Sequence, residues 1–535
     1  MRTMRRRLGT VVALAAAALV LALVVDGGSF GGAAPRPVSA ASASPGTASP
    51  GTASPATASP GIALPGTGSP SVASPAPSPG ASAGAASSAS PGAARIDNLE
   101  GIDGHVPIAL PAGIEVYAGA VSITPGQQLM LHVSTVAAQY TYAIERLDAT
   151  ARSGGQVVAR SAVRVGHDYR SLGTFDALDR TARANWPVTD TVETAGWAPG
   201  VYIVTARDTK GTIGQAIFVV RTPVLAAGAP TFVFTALTYQ AYNLWGGANL
   251  YAYAGPRGVR VSFERPYALE GGMGFWGRGD GRILRWLQLR GFALQYTTDY
   301  DLALHPPAVA PRLLVLPRHA EYVTASLRDW VEQHVNTAGD MNILDFGSNG
   351  FYWQVRLAEP RTPGAPMDIV CYRSAAADPA AAVDPTLITT RWRDSPLDRP
   401  EGMVFGAQYV AVLGNGFTRF DFTVTDQMPP ELVAGTGWLP GTVIRGILQG
   451  EGDLVYPGSS GIAIMDGRAA TSNGTPVATS VTIRTSPAGA RVFSTGTFAW
   501  ADGFDPARVD LGVTAASFDR FNRNVLTWLG FPPGS

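Results

Sequence analysis

The sequence predicts a multi-domain chain in which an N-terminal all-β sandwich precedes a three-layer α/β domain. Two patterns predict these folds: short strand-like runs separated by turn residues, and, further along, strand-like runs that alternate with amphipathic helices. The 535 residues are enough for two or three domains, because single hydrophobic cores stop growing near ~250 to 300 residues. A basic and apolar N-terminus and a segment of small residues precede both domains.

Residues 1–40 have the order of a secretory signal peptide. A basic start, MRTMRRR, is followed by the apolar run 8–25 and by small residues that end in Val38-Ser39-Ala40. The apolar run is also close to the ~18-residue minimum for a spanning helix, so an uncleaved N-terminal membrane anchor is the alternative. Both interpretations predict that the bulk of the chain is extracytoplasmic, either secreted or membrane-anchored.

Residues 41–95 are rich in Ala, Ser, Pro and Gly and contain the repeat SPGTASPGTASPATASPG. Such a segment has too little large apolar surface to offset chain entropy, and its prolines keep it extended. We therefore expect a disordered linker that holds the folded part away from the membrane or envelope.

Composition excludes several classes of partner and site. The formal net charge is +0 and the only compact basic run is Arg5-Arg6-Arg7, which argues against a nucleic-acid partner. A single cysteine, Cys371, excludes an intrachain disulfide and a cysteine-rich metal site. Because it lies in the strand-like run MDIVCYR, we interpret Cys371 as a core residue.

The β-sandwich is predicted for residues 96–222, where runs such as QLMLHVST, GVYIVTARD and GQAIFVVR recur at strand spacing. His132 and His167 lie there, and we interpret both as structural or surface residues. A short Ala/Gly/Pro linker at 223–230 closes this part. From residue 231 to 535, strands such as TFVFTAL, LLVLP and NILDF alternate with helices such as ILRWLQLRG and SLRDWVEQHV, which indicates a largely parallel sheet.

Polar residues follow two of these predicted strands. His319 and Glu321 come after LLVLP, and Asn349 comes after NILDF. The carboxyl ends of parallel strands form the crevice where ligands bind, so these side chains could converge on one site. The structural alternative is that the carboxylate caps the next helix, and that Gly347 and Gly350 only turn the chain.

Familiar nucleophile signatures are missing: there is no G-x-S-x-G, no H-E-x-x-H and no G-x-x-x-x-G-K-[ST]. What remains is the tyrosine-rich stretch TYQAYNLWGGANLYAY, residues 238–253. A packed aromatic cluster is the simplest explanation. A phenolate next to a carboxylate would instead suit a hard, highly charged cation such as ferric iron.

Several short motifs in a fixed order carry a family resemblance. AYN, GGANLY, VSFERPY, WLQLRGFALQYTTDYDL, PRHAEY and FGSNGFYW together resemble the large (beta) subunit of N,N-dimethylformamidase, specifically its C-terminal domain. The resemblance covers roughly residue 96 to the C-terminus. It implies an N-terminal β-sandwich and a flavodoxin-like α/β domain similar to glutamine amidotransferases.

The resemblance also implies a mononuclear ferric iron held by two tyrosines and one glutamate. The glutamate of the His-x-Glu-Tyr element is Glu321, and the tyrosine of the Leu-Tyr element is Tyr251. The second tyrosine falls in TYQAYN, where Tyr242 fits best and Tyr239 is the alternative. His319, Asn349 and Glu451 are implied as catalytic residues around the metal.

Two functions follow. The first is an exported metal-dependent amidohydrolase that hydrolyses a C–N amide bond, with Glu451 or His319 moving the proton to the leaving amine. The second is a non-catalytic extracytoplasmic binding protein of the cell envelope. The substrate would be a small amide or an envelope-derived molecule, a homo-oligomer is compatible with the sequence, and we expect Glu321→Ala to lose metal with little loss of fold.

Overall fold

The computed structural model describes strand Ala94–Arg95 and residues 113–151, 154–252, 256–268, 272–274 and 276–532. The predicted signal or anchor at 1–40 lies outside these residues. So does the predicted linker at 41–95, apart from its last two residues. Within the described ranges, no helix is both long enough and apolar enough to cross a bilayer.

The N-terminal part of the described chain is built almost entirely of strands. Its strands are β1 (Ala94–Arg95), β2 (Ile114–Ala118), β3 (Ser122–Ile123), β4 (Leu129–Thr135), β5 (Gln139–Leu147), β6 (Gly155–Arg160), β7 (Arg164–Val165), β8 (Thr174–Asp176), β9 (Thr181–Arg183), β10 (Asp190–Val192), β11 (Gly200–Asp208) and β12 (Ile213–Val220). A single 3-10 turn, Arg170–Leu172, interrupts them within the described residues of this part. The β-rich character predicted for this part is confirmed.

These strands form two main sheets around a common core. One sheet has the order β10-β4-β2, the other β3-β12-β11-β5-β6 with β7 paired to β5, and a small sheet β1-β8-β9 lies beside them. Side chains alternate as a half-buried strand requires: in β4, Leu129 and Leu131 are buried and Met130 is exposed. Buried residues of both sheets, including Leu131 of β4 and Phe218 of β12, belong to one apolar cluster.

His132 and His167 have the structural and surface positions predicted for them. The His132 ring stacks on Tyr117 with 4.4 Å between centroids, and its Nδ1 donates to the carbonyl of Trp186 at 2.8 Å. His167 is exposed.

The C-terminal part contains fifteen strands and seven α-helices among the described residues. The strands are β13 (Thr231–Phe234), β14 (Arg260–Val261), β15 (Gln295–Thr298), β16 (Leu313–Leu316), β17 (Tyr322–Thr324), β18 (Asn342–Asp345), β19 (Trp353–Ala358), β20 (Asp368–Val370), β21 (Ala407–Val412), β22 (Phe420–Val424), β23 (Val443–Leu448), β24 (Glu451–Val455), β25 (Gly461–Ala470), β26 (Pro476–Thr485) and β27 (Arg491–Ser494). The helices are α1 (Ala236–Ala241), α2 (Asp280–Leu289), α3 (Asp299–Leu304), α4 (Ala325–Glu332), α5 (Gly402–Phe405), α6 (Pro430–Val433) and α7 (Ala515–Trp528). A π-helical turn, Gln333–Ala338, continues α4. The 3-10 turns are Trp245–Gly247, Trp276–Arg278, Pro379–Ala382, Pro385–Leu387 and Trp500–Phe504.

Three of the helices begin at a threonine whose side chain accepts a backbone hydrogen bond. Thr298 caps α3, Thr324 caps α4 and Thr514 caps α7. Such a cap satisfies one of the free N–H groups of the first turn. In α4 the residues Leu327 and Val331 face the core, which agrees with the amphipathic helix predicted for this segment.

The main sheet of this part is mixed. Its nine strands have the order β15-β13-β16-β18-β27-β26-β25-β22-β23. The first five are parallel to one another, whereas β27, β26, β25, β22 and β23 follow in antiparallel pairs. Two smaller sheets, β14-β20-β19-β17 and β21-β24, complete the part. The predicted largely parallel sheet is therefore parallel at only four of its eight strand pairings.

The described chain as a whole is mostly β-sheet with few helices, so the three-layer α/β prediction overestimates the helical content. The reason lies in residues 402–532, where strands pair mostly as antiparallel neighbours rather than through helical crossovers. One example is the β25–β26 turn, which contains Asn473-Gly474, the dipeptide that favours two-residue hairpins. The likeness to glutamine amidotransferases and flavodoxin stays a prediction.

The two parts share buried surface. Val201 and Ile203 of β11, together with Ile217 and Val219 of β12, belong to the same apolar cluster as Phe232 of β13. The predicted linker at 223–230 lies between the elements, and backbone contacts cross it, as in the bond from Thr222 N to Tyr296 O at 2.9 Å. The domain limits 96–222 and 231–535 stay a prediction.

A carboxylate of β2 contacts the C-terminal part. Glu115 is 7% exposed and accepts a hydrogen bond from Trp245 Nε1 at 3.0 Å. Burial raises the pKa of Glu115 to about 7, although the Trp245 indole and the charge of Arg170 act in the opposite direction. Between pH 4.5 and about 7, the Glu115 carboxyl is therefore more often protonated in the folded chain than in the unfolded chain.

We expect Glu115→Gln to stabilise the protein at pH 8 and not at pH 4.5. Between the usual pKa of 4.5 and the raised value of about 7, the folded state binds more protons than the unfolded state, so the free energy of unfolding falls as pH rises. The full effect is about 3 kcal/mol. Calorimetric Tm values at both pH values measure it, with the exposed Glu193→Gln as control. An equal change in Tm at both pH values would contradict the prediction.

Candidate functional site

The carboxyl ends of three neighbouring parallel strands meet at one buried site. Strand β13 leads into α1, and Tyr242 follows that helix directly. Strand β16 is followed by His319 and Glu321, and strand β18 by the turn that carries Asn349. All four side chains are buried. The topology therefore brings together residues that are far apart in the sequence.

Glu321 lies at the centre of this site and is 3% exposed. The phenol of Tyr242 donates to its Oε2 at 2.6 Å, and the phenol of Tyr251 donates to the same oxygen at 2.9 Å. The two rings stack with 4.3 Å between centroids. Three oxygen atoms that could bind a metal, one each from Tyr242, Tyr251 and Glu321, thus lie close together.

Nitrogen donors surround the same carboxylate. Trp353 Nε1 donates to Oε1 at 3.0 Å, and Asn349 Nδ2 reaches that oxygen at 3.4 Å. His319 Nε2 lies 3.1 Å from Oε2 and 3.2 Å from the Tyr242 hydroxyl. Because Ser348 O can only accept, His319 Nδ1, at 3.2 Å from it, carries a proton.

The electrostatics of the site favour a charged carboxylate at Glu321 and a neutral phenol at Tyr251. Burial alone would raise the pKa of Glu321, but the hydrogen bond and charge of His319 outweigh it and lower that pKa. For His319, burial acts to lower the pKa, and the hydrogen bond and charge of Glu321 raise it overall. Burial, followed by the charge of Glu321, raises the pKa of Tyr251 well above its usual range. Without a bound cation, Tyr251 therefore keeps its proton.

The loop between the two tyrosines is fixed by buried polar side chains. Asn249 Nδ2 donates to Tyr242 O at 2.9 Å, and its Oδ1 accepts from Tyr251 N at 2.9 Å. Arg265 Nη1 donates to the carbonyls of Trp245 at 2.8 Å and Ala248 at 3.0 Å. These bonds turn the chain so that the phenols, nine positions apart in the sequence, reach one carboxylate.

Glycine makes this reversal possible. Gly246 and Gly247 have φ of 78° and 82°, a left-handed conformation that side chains rarely adopt. The turn lies against the sandwich, where the indole of Trp245 packs in a buried cluster with Tyr117 and Trp186.

The turn after β18 is held by a carboxylate from a distant strand. Asp453 of β24 accepts from Ser348 Oγ at 2.6 Å and from Asn349 N at 3.0 Å. Asn349 has φ of 58°, which asparagine tolerates better than most residues. Asp453 therefore positions Ser348, whose carbonyl faces His319, and Asn349, whose side-chain amide reaches Glu321.

Glu451 lies two residues before Asp453 and faces the same site. The charges of His319 and Glu321 and the side chain of Asn349 all act on its pKa. Burial, assisted by the charge of Glu321, raises the pKa of Glu451 to about 7. Its Oε2 and Asn349 Oδ1 are buried without a hydrogen-bond partner. These two oxygens are free to contact a water molecule or a ligand.

Tyr239 and Cys371 form hydrogen bonds with groups other than Glu321. The hydroxyl of Tyr239 donates to Asp280 Oδ2 at 2.5 Å, so Tyr239 faces a different carboxylate from Tyr242. Cys371 follows β20 and is fully buried, and burial raises the pKa of its thiol to about 11. The interpretation of Cys371 as a core residue is confirmed.

Three residues close to Glu321 and Tyr251 were not predicted as site residues from the sequence. Tyr322 donates to Tyr251 Oη at 2.7 Å, and the guanidinium carbon of Arg373 lies 3.8 Å from the centroid of the Tyr251 ring. Trp353 contacts Glu321. Tyr322 and Trp353 stand in the motifs PRHAEY and FGSNGFYW, which could have identified them, whereas Arg373 ends the strand-like run MDIVCYR, in which no motif marks a site residue.

The oxygen donors determine which cation could fit. Within the described ranges, no group of three or more His, Cys, Asp and Glu side chains could hold a metal ion. A cation at Glu321 would therefore need the two tyrosine oxygens. Two phenolates and one carboxylate form a hard, trianionic set that suits a small, highly charged ion such as ferric iron.

Solved structures match short stretches of the chain, as two examples show. The chain is similar to a cycloisomaltooligosaccharide glucanotransferase from Paenibacillus sp. in complex with cycloisomaltoheptaose, with 13% identity over 22% of this chain and 15% of that chain and a TM-score of 0.14. It is also similar to a beta-glucosidase from Listeria innocua, with 9% identity over 20% of this chain and 16% of that chain and a TM-score of 0.12. The chain thus spans only a small part of either structure.

No curated protein matches the sequence. A protein family does: the family described as N,N-dimethylformamidase beta subunit-like, C-terminal, matches residues 141–511, which is more than half of the chain. The match includes the whole of the site around Glu321. The chain therefore belongs to the N,N-dimethylformamidase beta subunit-like, C-terminal family, as its motifs predict.

Proposed function

We propose that the protein is a metal-dependent amidohydrolase that cleaves a C–N amide bond at a mononuclear iron site. Tyr242, Tyr251 and Glu321 would hold the metal. One observation carries the proposal: both phenol oxygens lie within 2.6 and 2.9 Å of the same oxygen of Glu321. Membership in the N,N-dimethylformamidase-like family supports the reaction class.

Tyr242, Tyr251 and Glu321 fit iron because both phenols can lose their protons when a cation binds. Both phenols now donate to Glu321, and burial opposes the loss of the Tyr251 proton as long as no cation compensates the charge. A trivalent cation would balance the three negative charges of two phenolates and a carboxylate. Metal binding should therefore release about two protons, one from each phenol, and become weaker at low pH.

A bound ferric ion would polarise an amide carbonyl and lower the pKa of water, so that a nucleophile exists near neutral pH. Hydrolysis forms a C–O bond from water to the carbonyl carbon, breaks the C–N bond and passes one proton to the leaving amine. Glu451 suits proton transfer, because its raised pKa of about 7 allows both protonation states near neutral pH.

Other side chains would orient the reactants. His319 holds the carboxylate of Glu321 through Nε2 and is itself oriented by Ser348 O. Asn349 Oδ1 is buried and unpartnered, so it can accept a hydrogen bond from the substrate or from water. Trp353 and Glu451 are partly exposed, in contrast to Glu321, which places the approach to the site on their side.

The proposed location and substrate class rest on the N-terminal sequence. The basic and apolar residues 1–25 and the small residues up to 40 support export or membrane anchoring, and the substrate would then be a small amide or an envelope-derived molecule. Self-association is compatible with this proposal and can be read from the size of the purified protein.

The test is metal content followed by turnover. We expect the purified protein, after reconstitution with ferric iron, to hold one iron per chain, to show visible phenolate charge-transfer absorption, and to hydrolyse at least one member of a panel of small amides and envelope peptides. Chelation should abolish the absorption and the turnover together. A colourless, metal-free protein after reconstitution would overturn the proposal in favour of the non-catalytic binding protein.

A further inference from the structure

The two proposed tyrosine ligands have different surroundings. Tyr242 has His319 beside its hydroxyl at 3.2 Å. The hydroxyl of Tyr251 instead accepts a hydrogen bond from Tyr322 at 2.7 Å. The Tyr322 side chain is fully buried, so this bond is shielded from water.

The direction of this hydrogen bond is fixed by an arginine. Arg373 Nη2 donates to the hydroxyl oxygen of Tyr322. A guanidinium has no acceptor, so Tyr322 must use its own proton elsewhere, and it directs that proton to Tyr251. The order of donation is therefore Arg373 to Tyr322 to Tyr251 to Glu321. We call this series of hydrogen bonds the Tyr322–Arg373 relay.

Arg373 also acts on Tyr251 directly. Its guanidinium carbon lies 3.8 Å from the centroid of the Tyr251 ring and 4.7 Å from that of Trp353. A cation over the ring face attracts an electron-rich ring, and attracts a phenolate more strongly than a phenol. The proton of Tyr322 and the charge of Arg373 thus both favour negative charge on Tyr251.

No carboxylate among the described residues forms a salt bridge with Arg373, and its buried Nε has no hydrogen-bond partner. A guanidinium with such surroundings is costly unless negative charge lies close by. The charge of Arg373 acts on Glu321, and a phenolate at Tyr251 would supply a second negative charge. A site with a phenolate at Tyr251 as well as the carboxylate of Glu321 would therefore compensate the buried charge of Arg373.

We propose that Tyr322 and Arg373 are positioning residues that, once iron is bound, hold Tyr251 as a hydrogen-bonded phenolate and make it a weaker donor to the metal. This inference rests on the proposed iron site. The proton of Tyr322 and the charge of Arg373 both withdraw electron density from Tyr251. The metal would then have greater Lewis acidity than a phenolate without these two neighbours would leave it.

The experiment compares iron-loaded wild type with Tyr322→Phe. The variant removes the hydroxyl and keeps the ring, so Tyr251 becomes more electron-rich. We expect its charge-transfer band to move to longer wavelength and its iron affinity, measured by competition with a chelator, to fall about 10- to 100-fold, as for other partners of metal ligands. Arg373→Gln should shift the band in the same direction, which keeps the test valid if Tyr322→Phe folds poorly.

Tyr202→Phe is the matched control. Tyr202 is also fully buried, and its hydroxyl donates to Ala198 O at 2.6 Å, far along the chain from the proposed ligands. This control should leave band and affinity unchanged. If wild type binds iron with the expected colour but Tyr322→Phe and Arg373→Gln keep its band and affinity, the relay is wrong and the proposed function stands. If wild type takes up no iron, the proposed function fails and the relay fails with it.

Discussion

Glu321→Gln is expected to abolish iron binding and amide hydrolysis while the fold is retained. Glutamine keeps the shape of the side chain but loses its negative charge, and one of its two oxygens becomes an N–H donor. It can no longer accept from Tyr242, Tyr251 and Trp353 together, nor complete a trianionic donor set. The loss of iron affinity should exceed the 10- to 100-fold typical of residues behind a ligand.

Iron content and the visible spectrum after reconstitution measure this effect, with circular dichroism as the test of folding. Glu115→Gln is the matched control, because Glu115 is also a buried glutamate with a tryptophan donor but lies in the sandwich. The control should keep iron and colour. Full iron occupancy in Glu321→Gln would exclude Glu321 as a ligand.

The expectation that Glu321→Ala causes little loss of fold stays a prediction, and the burial of Glu321 argues against it. Glu321 is a buried acceptor for Tyr242, Tyr251 and Trp353. Alanine would remove this shared acceptor, at a cost of about 1–3 kcal/mol for each buried donor that finds no other acceptor. Loss of metal in the alanine variant would therefore be confounded with loss of stability, which the glutamine variant avoids.

Trp245→Ala should lower the free energy of unfolding by about 3–5 kcal/mol and weaken iron binding as well. The indole is 2% exposed and packs against Trp186 of the sandwich, with 5.9 Å between ring centroids. Its removal leaves a cavity under the turn that precedes Tyr251. The variant should therefore lose stability and the position of one proposed ligand together.

Denaturant unfolding and chelator competition measure the two effects separately. Trp245→Phe is the control: it keeps most of the packing and loses only the hydrogen bond to Glu115, so we expect about 0.5–1.5 kcal/mol. If Trp245→Ala is destabilised as expected but binds iron as tightly as wild type, the sandwich does not hold the tyrosine loop in place.

Local patterns in the sequence predicted those parts of the site that lie next to strand ends. His319, Glu321 and Asn349 follow apolar strands, and the structure places His319 and Asn349 within hydrogen-bond distance of Glu321. Tyr242 and Tyr251 required the family resemblance, because a tyrosine-rich stretch is equally compatible with a packed core. Their roles as ligands stay a prediction.

Other features could not be predicted, for physical reasons. TFVFTAL was interpreted as one strand, yet the strand ends at Phe234 and α1 begins at Ala236. Both sides of this short helix are buried, so the apolar run continues without the periodicity that would reveal a helix. Arg373 reaches Tyr251 only through tertiary folding, and no local spacing marks it.

The clamp formed by Asp453 has a consequence for the order in which the protein is made. It holds Ser348 and Asn349 across 105 and 104 positions of the chain, so the turn beside Glu321 is completed late in synthesis. Contacts of such long separation form slowly, because loop-closure entropy opposes them until neighbouring structure is in place. A nascent chain that ends before β24 would already contain Tyr242, Tyr251 and Glu321 and still lack the carboxylate that holds the turn beside them, so this site is complete only after β24 has been made.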